Sequence, residues 1–117
     1  MHAPRFLSVL LAVGLSIAYL FLGTRPQNPA IVRDVPDKAL HCSAYALLGL
    51  SAGSAASALG VARAAVAGWG YAVAHGVLLE VVQHFMPPRT AEVGDVAADA
   101  VGAAVGAVIL ALWRRRP

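Results

Sequence analysis

The chain has 117 residues, 59% apolar and 13% charged, with one cysteine, a formal net charge of +3 and a mean hydropathy of +0.70. A soluble domain carries about a quarter charged residues and just under half apolar ones, and a chain this short exposes the largest share of its residues. Composition thus excludes disorder, a disulfide scaffold and an ordinary cytosolic domain, and leaves one integral membrane domain over residues 1–117.

A hydrocarbon core of about 30 Å needs roughly 20 mostly apolar residues in a helix. Four stretches qualify, at about 6–23, 39–60, 64–85 and 96–113. They predict an all-α fold, a transmembrane bundle of four helices, since lipid offers no partner to an open backbone. The first has the basic start of a signal peptide. It lacks a small-x-small cleavage site before Gly23-Thr24-Arg25-Pro26, so a retained span is expected. Residues 24–38 hold Pro26, Pro29 and Pro36 and cannot be one helix. The connection at 59–63 is short and makes the second and third spans a hairpin. Met86-Pro87-Pro88-Arg89 breaks the chain again before the fourth span.

Lys and Arg counts set the orientation. Arg5, Arg63, Arg114, Arg115 and Arg116 fall on the side of the termini, with no acid among them. Arg25, Arg33, Lys38 and Arg89 fall on the other side, beside Asp34, Asp37, Glu92 and Asp95. The reading is a multi-pass membrane protein with both termini cytoplasmic.

The polar residues of the last three spans recur at helical spacing. Asp37, His41 and Tyr45 are four apart, with Lys38 beside them and Asp37 placed to cap the second helix. Glu80, Gln83 and His84 share a face near the end of the third span. Asp95, Asp99, Gly102 and Gly106 form one stripe on the fourth. Gly102 and Gly106, like Gly49 and Gly53, make a GxxxG that lets backbones approach closely, within the chain or in a homodimer. His75 lies deeper and is expected to be a helix-to-helix hydrogen bond. Ionisable groups within a membrane are costly unless they face protein or water. Asp37, Lys38, His41, Tyr45, Glu80, Gln83, Arg89, Asp95 and Asp99 are therefore expected to converge in a polar cluster at the extracytoplasmic end.

The run Asp37-Lys38-x-x-His41-x-x-x-Tyr45, then Glu80-x-x-Gln83, then Arg89, Asp95, Asp99, Gly102 and Gly106, resembles the VanZ-like family of small bacterial membrane proteins. The resemblance covers roughly residues 35–106. Two positions depart from the family pattern: Asp99 stands where Asn is usual and Glu92 where Ser is usual. The resemblance implies a cell-envelope protein, and the founding member's link to teicoplanin points to glycopeptide resistance. It does not supply a biochemical activity.

Three functions compete. A non-enzymatic binder would hold a polar or anionic group, from a lipid-linked envelope precursor or a glycopeptide, with Arg89 pairing a phosphate or carboxylate. A membrane hydrolase or transferase would act on an outer-leaflet lipid phosphate, with Glu80 or His41 as acid and base and Arg89 stabilising charge. A proton path ranks last, because the inner halves of the spans offer little beyond Ser51, Ser54 and Ser57. A binder rather than an enzyme is the expectation. Under the second function the carboxylates and histidines could also hold a divalent metal, but no HExxH or CxxC spacing occurs, so no metal and no cofactor is assigned. Expected partners are membrane lipids, and no basic run interleaved with aromatics suggests nucleic acid.

Overall fold

A computed structural model describes residues 3–89 and 91–115. The expectation for Arg116 lies outside the described residues. The chain folds as helices α1 (Ala3–Gly23), α2 (Asp37–Ala58), α3 (Ala64–His84) and α4 (Val93–Arg114), with a 3₁₀ turn at Ala30–Val32 between α1 and α2. Among the described residues there is no strand. The bundle measures 47 × 25 × 23 Å. Its long dimension is close to the roughly 40–45 Å of a bilayer with its headgroups.

Helix α2 packs against all three others, and α4 also packs on α3. This arrangement explains a difference from the sequence expectation. Helices α1, α3 and α4 are each long and apolar enough to cross a membrane, but α2 is not, although it has 22 residues. Within α2 the only exposed large apolar side chain is Leu47. By contrast, α1 exposes Phe6, Leu7, Leu10, Ile17 and Phe21, and α4 exposes Val101, Val108, Ile109 and Leu112. A helix surrounded by protein has no need of an apolar surface, so its polar residues can face its neighbours.

The boundaries follow from local chemistry. Pro36 precedes α2, with its fixed φ of −53° and no N–H to leave unpaired. Its carbonyl accepts from Leu40 N–H at 2.9 Å. Asp37 was expected to be the cap; it lies one residue inside, in the first helical turn, and makes no capping bond. Its charge still favours the positive end of the helix dipole there. At the far end of α2, Gly60 adopts φ +83°, a left-handed conformation that favours glycine. Gly60 N–H then donates to Ser57 carbonyl at 3.1 Å and Val61 N–H to Ala56 carbonyl at 2.9 Å. That pair of bonds closes the helix and turns the chain into α3.

The helices meet through glycine. A Cβ on Gly102 or Gly106 would strike the carbonyl of Cys42 or Ala46 in α2, and one on Gly49 would lie 3.0 Å from the carbonyl oxygen of Ala103. Gly53 closes against the α3 backbone at Gly68 and against Leu110. All four GxxxG glycines thus pack helices within the chain. Tyr45, Leu48, Ala72 and Ala103 form the centre of the core, joined by Leu15 and Tyr19 of α1.

Candidate functional site

The polar residues group into three sets of contacts. The first joins the start of α2 to the start of α4. Lys38 Nζ donates to Asp95 Oδ1 and, at 2.7 Å, to Glu92 Oε2. The carboxylates of Asp95 and Glu92 hold the Lys38 ammonium above the ordinary lysine range. One turn further in, His41 donates from Nδ1 to Asp99 Oδ1 at 2.6 Å. Its Nε2 lies 3.8 Å from Asp37 Oδ2 and 3.9 Å from Asp95 Oδ2. From α3, Glu80 reaches across and accepts the Glu92 backbone N–H at 2.9 Å, which ties the end of α3 to the beginning of α4. Asp95, Asp99 and Glu80 are buried. Asp99 fits because α3 carries Gly76 opposite it, where a Cβ would lie 2.5 Å from Asp99 Oδ2.

The second set is deeper and binds α1, α2 and α3 together. His75 Nε2 lies 2.8 Å from the Ser16 carbonyl, which can only accept, so Nε2 carries the proton. In the neutral ring Nδ1 then accepts from Tyr45 Oη at 2.8 Å. Ser16 donates to the Ala12 carbonyl at 2.7 Å, so Tyr71 donates to Ser16 Oγ at 2.6 Å. Tyr19 donates to the Ala44 carbonyl at 2.8 Å. Tyr45 thus belongs to this set by its hydroxyl and to the first by its ring, which stacks on His41 at 6.3 Å and 7°.

The third set holds the loop after α1. Gln83 donates to the Gly23 carbonyl at 2.7 Å. Arg89 donates from Nε to the Arg25 carbonyl at 2.6 Å, and from Nη2 to the Leu22 carbonyl and to Asn28 Oδ1. The planar fork expected to meet a phosphate or carboxylate is therefore largely spent on α1 and its loop. Arg89 forms no ion pair with Glu80 or Asp95 among the described residues.

A cleft of about 280 Å³ joins the sets, with His41, Tyr45, Gln83 and Arg89 as polar lining and Leu22 and Leu79 as apolar lining. Glu80 and Asp95 do not line it; Glu80 and Glu92 border a separate groove toward His84. Gly49, Gly53, Gly102 and Gly106 pack helices and line neither this cleft nor that groove. Two groups have donor atoms within 4.8 Å of one another, which is close enough to share a metal ion: Asp37, His41 and Asp95, and His41, Glu80 and Asp99.

Sequence reasoning missed Ser16, Tyr19, Tyr71 and Asn28. Ser16 and Tyr19 were readable as the polar residues on one side of an otherwise apolar first span. Asn28 sits among prolines and carried no signal. No family model, curated protein or solved structure matches this chain.

Proposed function

We propose that this chain is a VanZ-like integral membrane protein of the bacterial envelope that crosses the bilayer four times. In this reading its cleft binds the polar or anionic headgroup of a lipid-linked molecule from the extracytoplasmic side. The observation that carries the reading is the mixed lining of the cleft. His41, Tyr45, Gln83 and Arg89 give it polar groups and one positive charge, while Leu22, Leu79 and Ile31 form an apolar wall beside them. A headgroup and the first methylenes of its chain have that same division. Helix α2 crosses as the shielded member of the bundle, which accounts for its polarity. Arg89 and Gln83 hold the end of α1 and the α1–α2 loop against the cleft, and His41 faces the ligand.

Native mass spectrometry of the detergent-purified protein tests the reading. An anionic phospholipid, phosphatidylglycerol, is expected to be retained several-fold more than phosphatidylcholine. Arg89→Ala should abolish that preference and His41→Ala should reduce it. Equal retention of both lipids contradicts the reading.

A second reading has its own support. The 2.6 Å bond from His41 to buried Asp99 orients an imidazole on the cleft wall as in a base–carboxylate pair. Under that reading His41 takes a proton from a water that attacks the phosphorus of a lipid phosphate, the P–O bond to the lipid breaks, and the lipid alcohol leaves with a proton returned from the imidazolium. Release of inorganic phosphate from lipid phosphates by the wild type, lost in His41→Gln, would favour it. No turnover on any envelope lipid removes it.

A further inference from the structure

We propose that His41, Glu80 and Asp99 form a binding site for one divalent transition-metal ion. The three residues come from α2, α3 and α4, and their donor atoms lie within 4.8 Å of one another. Proximity of acids alone would not make a site. The second observation is the state of the carboxylates. Glu80 is 6% exposed and Asp99 is 0% exposed. Each has one buried oxygen with no hydrogen-bond partner, Oε1 of Glu80 and Oδ2 of Asp99. Buried polar atoms are nearly always paired, and an orphaned acceptor in a low-dielectric interior is costly. Here two orphans occur in one three-residue group.

Among the described residues, the nearby Lys and Arg side chains are already committed. Lys38 is committed to Asp95 and Glu92. Arg89 is committed to the α1–α2 loop. His41 is the only basic side chain bonded to this pair among the described residues. A metal ion would satisfy both orphaned oxygens at once.

The donor set narrows the choice. Calcium and magnesium take oxygen ligands almost exclusively. One imidazole with two carboxylates suits Mn²⁺ or Zn²⁺. Three protein donors leave at least one coordination position for water or for an oxygen of a bound group, as in catalytic rather than structural metal sites. Asp95 Oδ2, 3.9 Å from His41 Nε2, places a further carboxylate beside the site. Because the donors come from three different helices, no spacing along the chain reveals them.

The test uses the detergent-purified full chain, stripped with chelator and titrated with MnCl₂ or ZnCl₂ alone. Free Mn²⁺ is read by electron paramagnetic resonance and Zn²⁺ by calorimetry. The expected result is one bound ion per chain for at least one metal, with affinity at least tenfold weaker in Glu80→Gln and in Asp99→Asn. Asp34→Asn, a loss of one acid outside the group, should bind as the wild type does. Should a variant fail to fold, the wild type still decides: its thermal transition should rise with added metal and fall back with chelator. Absence of stoichiometric binding of either ion, or equal binding by wild type, Glu80→Gln and Asp99→Asn, overturns the proposal. The site does not depend on the headgroup reading, because one is measured with ions alone and the other with lipid alone.

Discussion

Gly76→Ala tests how tightly α3 and α4 close around Asp99. A Cβ at position 76 would lie 2.5 Å from Asp99 Oδ2 and 3.1 Å from its Cβ and Cγ. Ordinary contact begins near 3.4 Å, so the carboxylate must retreat by almost an ångström. It has little room, being 0% exposed and held to His41 at 2.6 Å. Overpacking of this kind costs about 1–3 kcal/mol. A weakened charge-assisted hydrogen bond adds to that, up to about 1.5–3 kcal/mol if it is lost entirely. The gain in helix propensity from Gly to Ala, about 1 kcal/mol, works against both. The expected net loss is about 1–3 kcal/mol. Gly70, six residues earlier on α3, supplies the control. Nothing lies within 4 Å of a Cβ there, so Gly70→Ala should be neutral or slightly stabilising. Reversible unfolding in mixed micelles measures both. A cycle with Asp99→Ala then isolates the cause, because removing the carboxylate should remove most of the cost of Ala at position 76. If Gly76→Ala and Gly70→Ala behave alike, or if the cycle shows no coupling, the packing of Asp99 against α3 is wrong.

The other predictions concern the remaining contacts. Tyr45→Phe leaves His75 Nδ1 without its donor and should cost about 0.6 kcal/mol, the average for hydrogen bonds between membrane helices, and at most about 1.7 kcal/mol; the same unfolding assay reads it. A loss well above 3 kcal/mol would mean that the Tyr45 hydroxyl does more than join helices. Gly102→Val should prevent normal packing of α4 on α2, seen as loss of the monodisperse peak in size-exclusion chromatography, whereas Gly14→Val, which meets nothing within 4 Å, should not. Arg89→Ala should free the loop held at Leu22, Arg25 and Asn28, and proteolysis between residues 24 and 36 should speed up without a large change in the unfolding midpoint.

The helices themselves were readable because lipid imposes a length on any apolar run, and the predicted limits fall within three residues of those observed. The turn at Gly60 and the break at Pro87 were equally plain. The sequence could not show that α2 is the central helix. Its polarity reads as weakness in a span until the three covering helices are in place. Helical spacing put Asp95 and Asp99 on the stripe of Gly102 and Gly106, and that stripe does face α2. Spacing says which residues share a face, but not which neighbour the face meets. Arg89 was therefore expected beside the acids, yet it bonds to the loop after α1, which no periodicity connects to it. His75 was expected to be a link between helices, and its two bonds to Tyr45 and Ser16 make it one. The orphaned oxygens of Glu80 and Asp99 are a three-helix property with no trace in any one segment.

The account depends on the cleft facing the outside of the cell, and accessibility of single cysteines tests this most directly. In a Cys42→Ser background, Gln27→Cys in the α1–α2 loop and Ala91→Cys in the α3–α4 loop should each react with a membrane-impermeant thiol reagent in intact cells. Gly60→Cys, in the turn between α2 and α3, should react only after the cells are opened. Labelling of position 60 in intact cells, with positions 27 and 91 protected, would place the cleft on the cytoplasmic side and contradict the account.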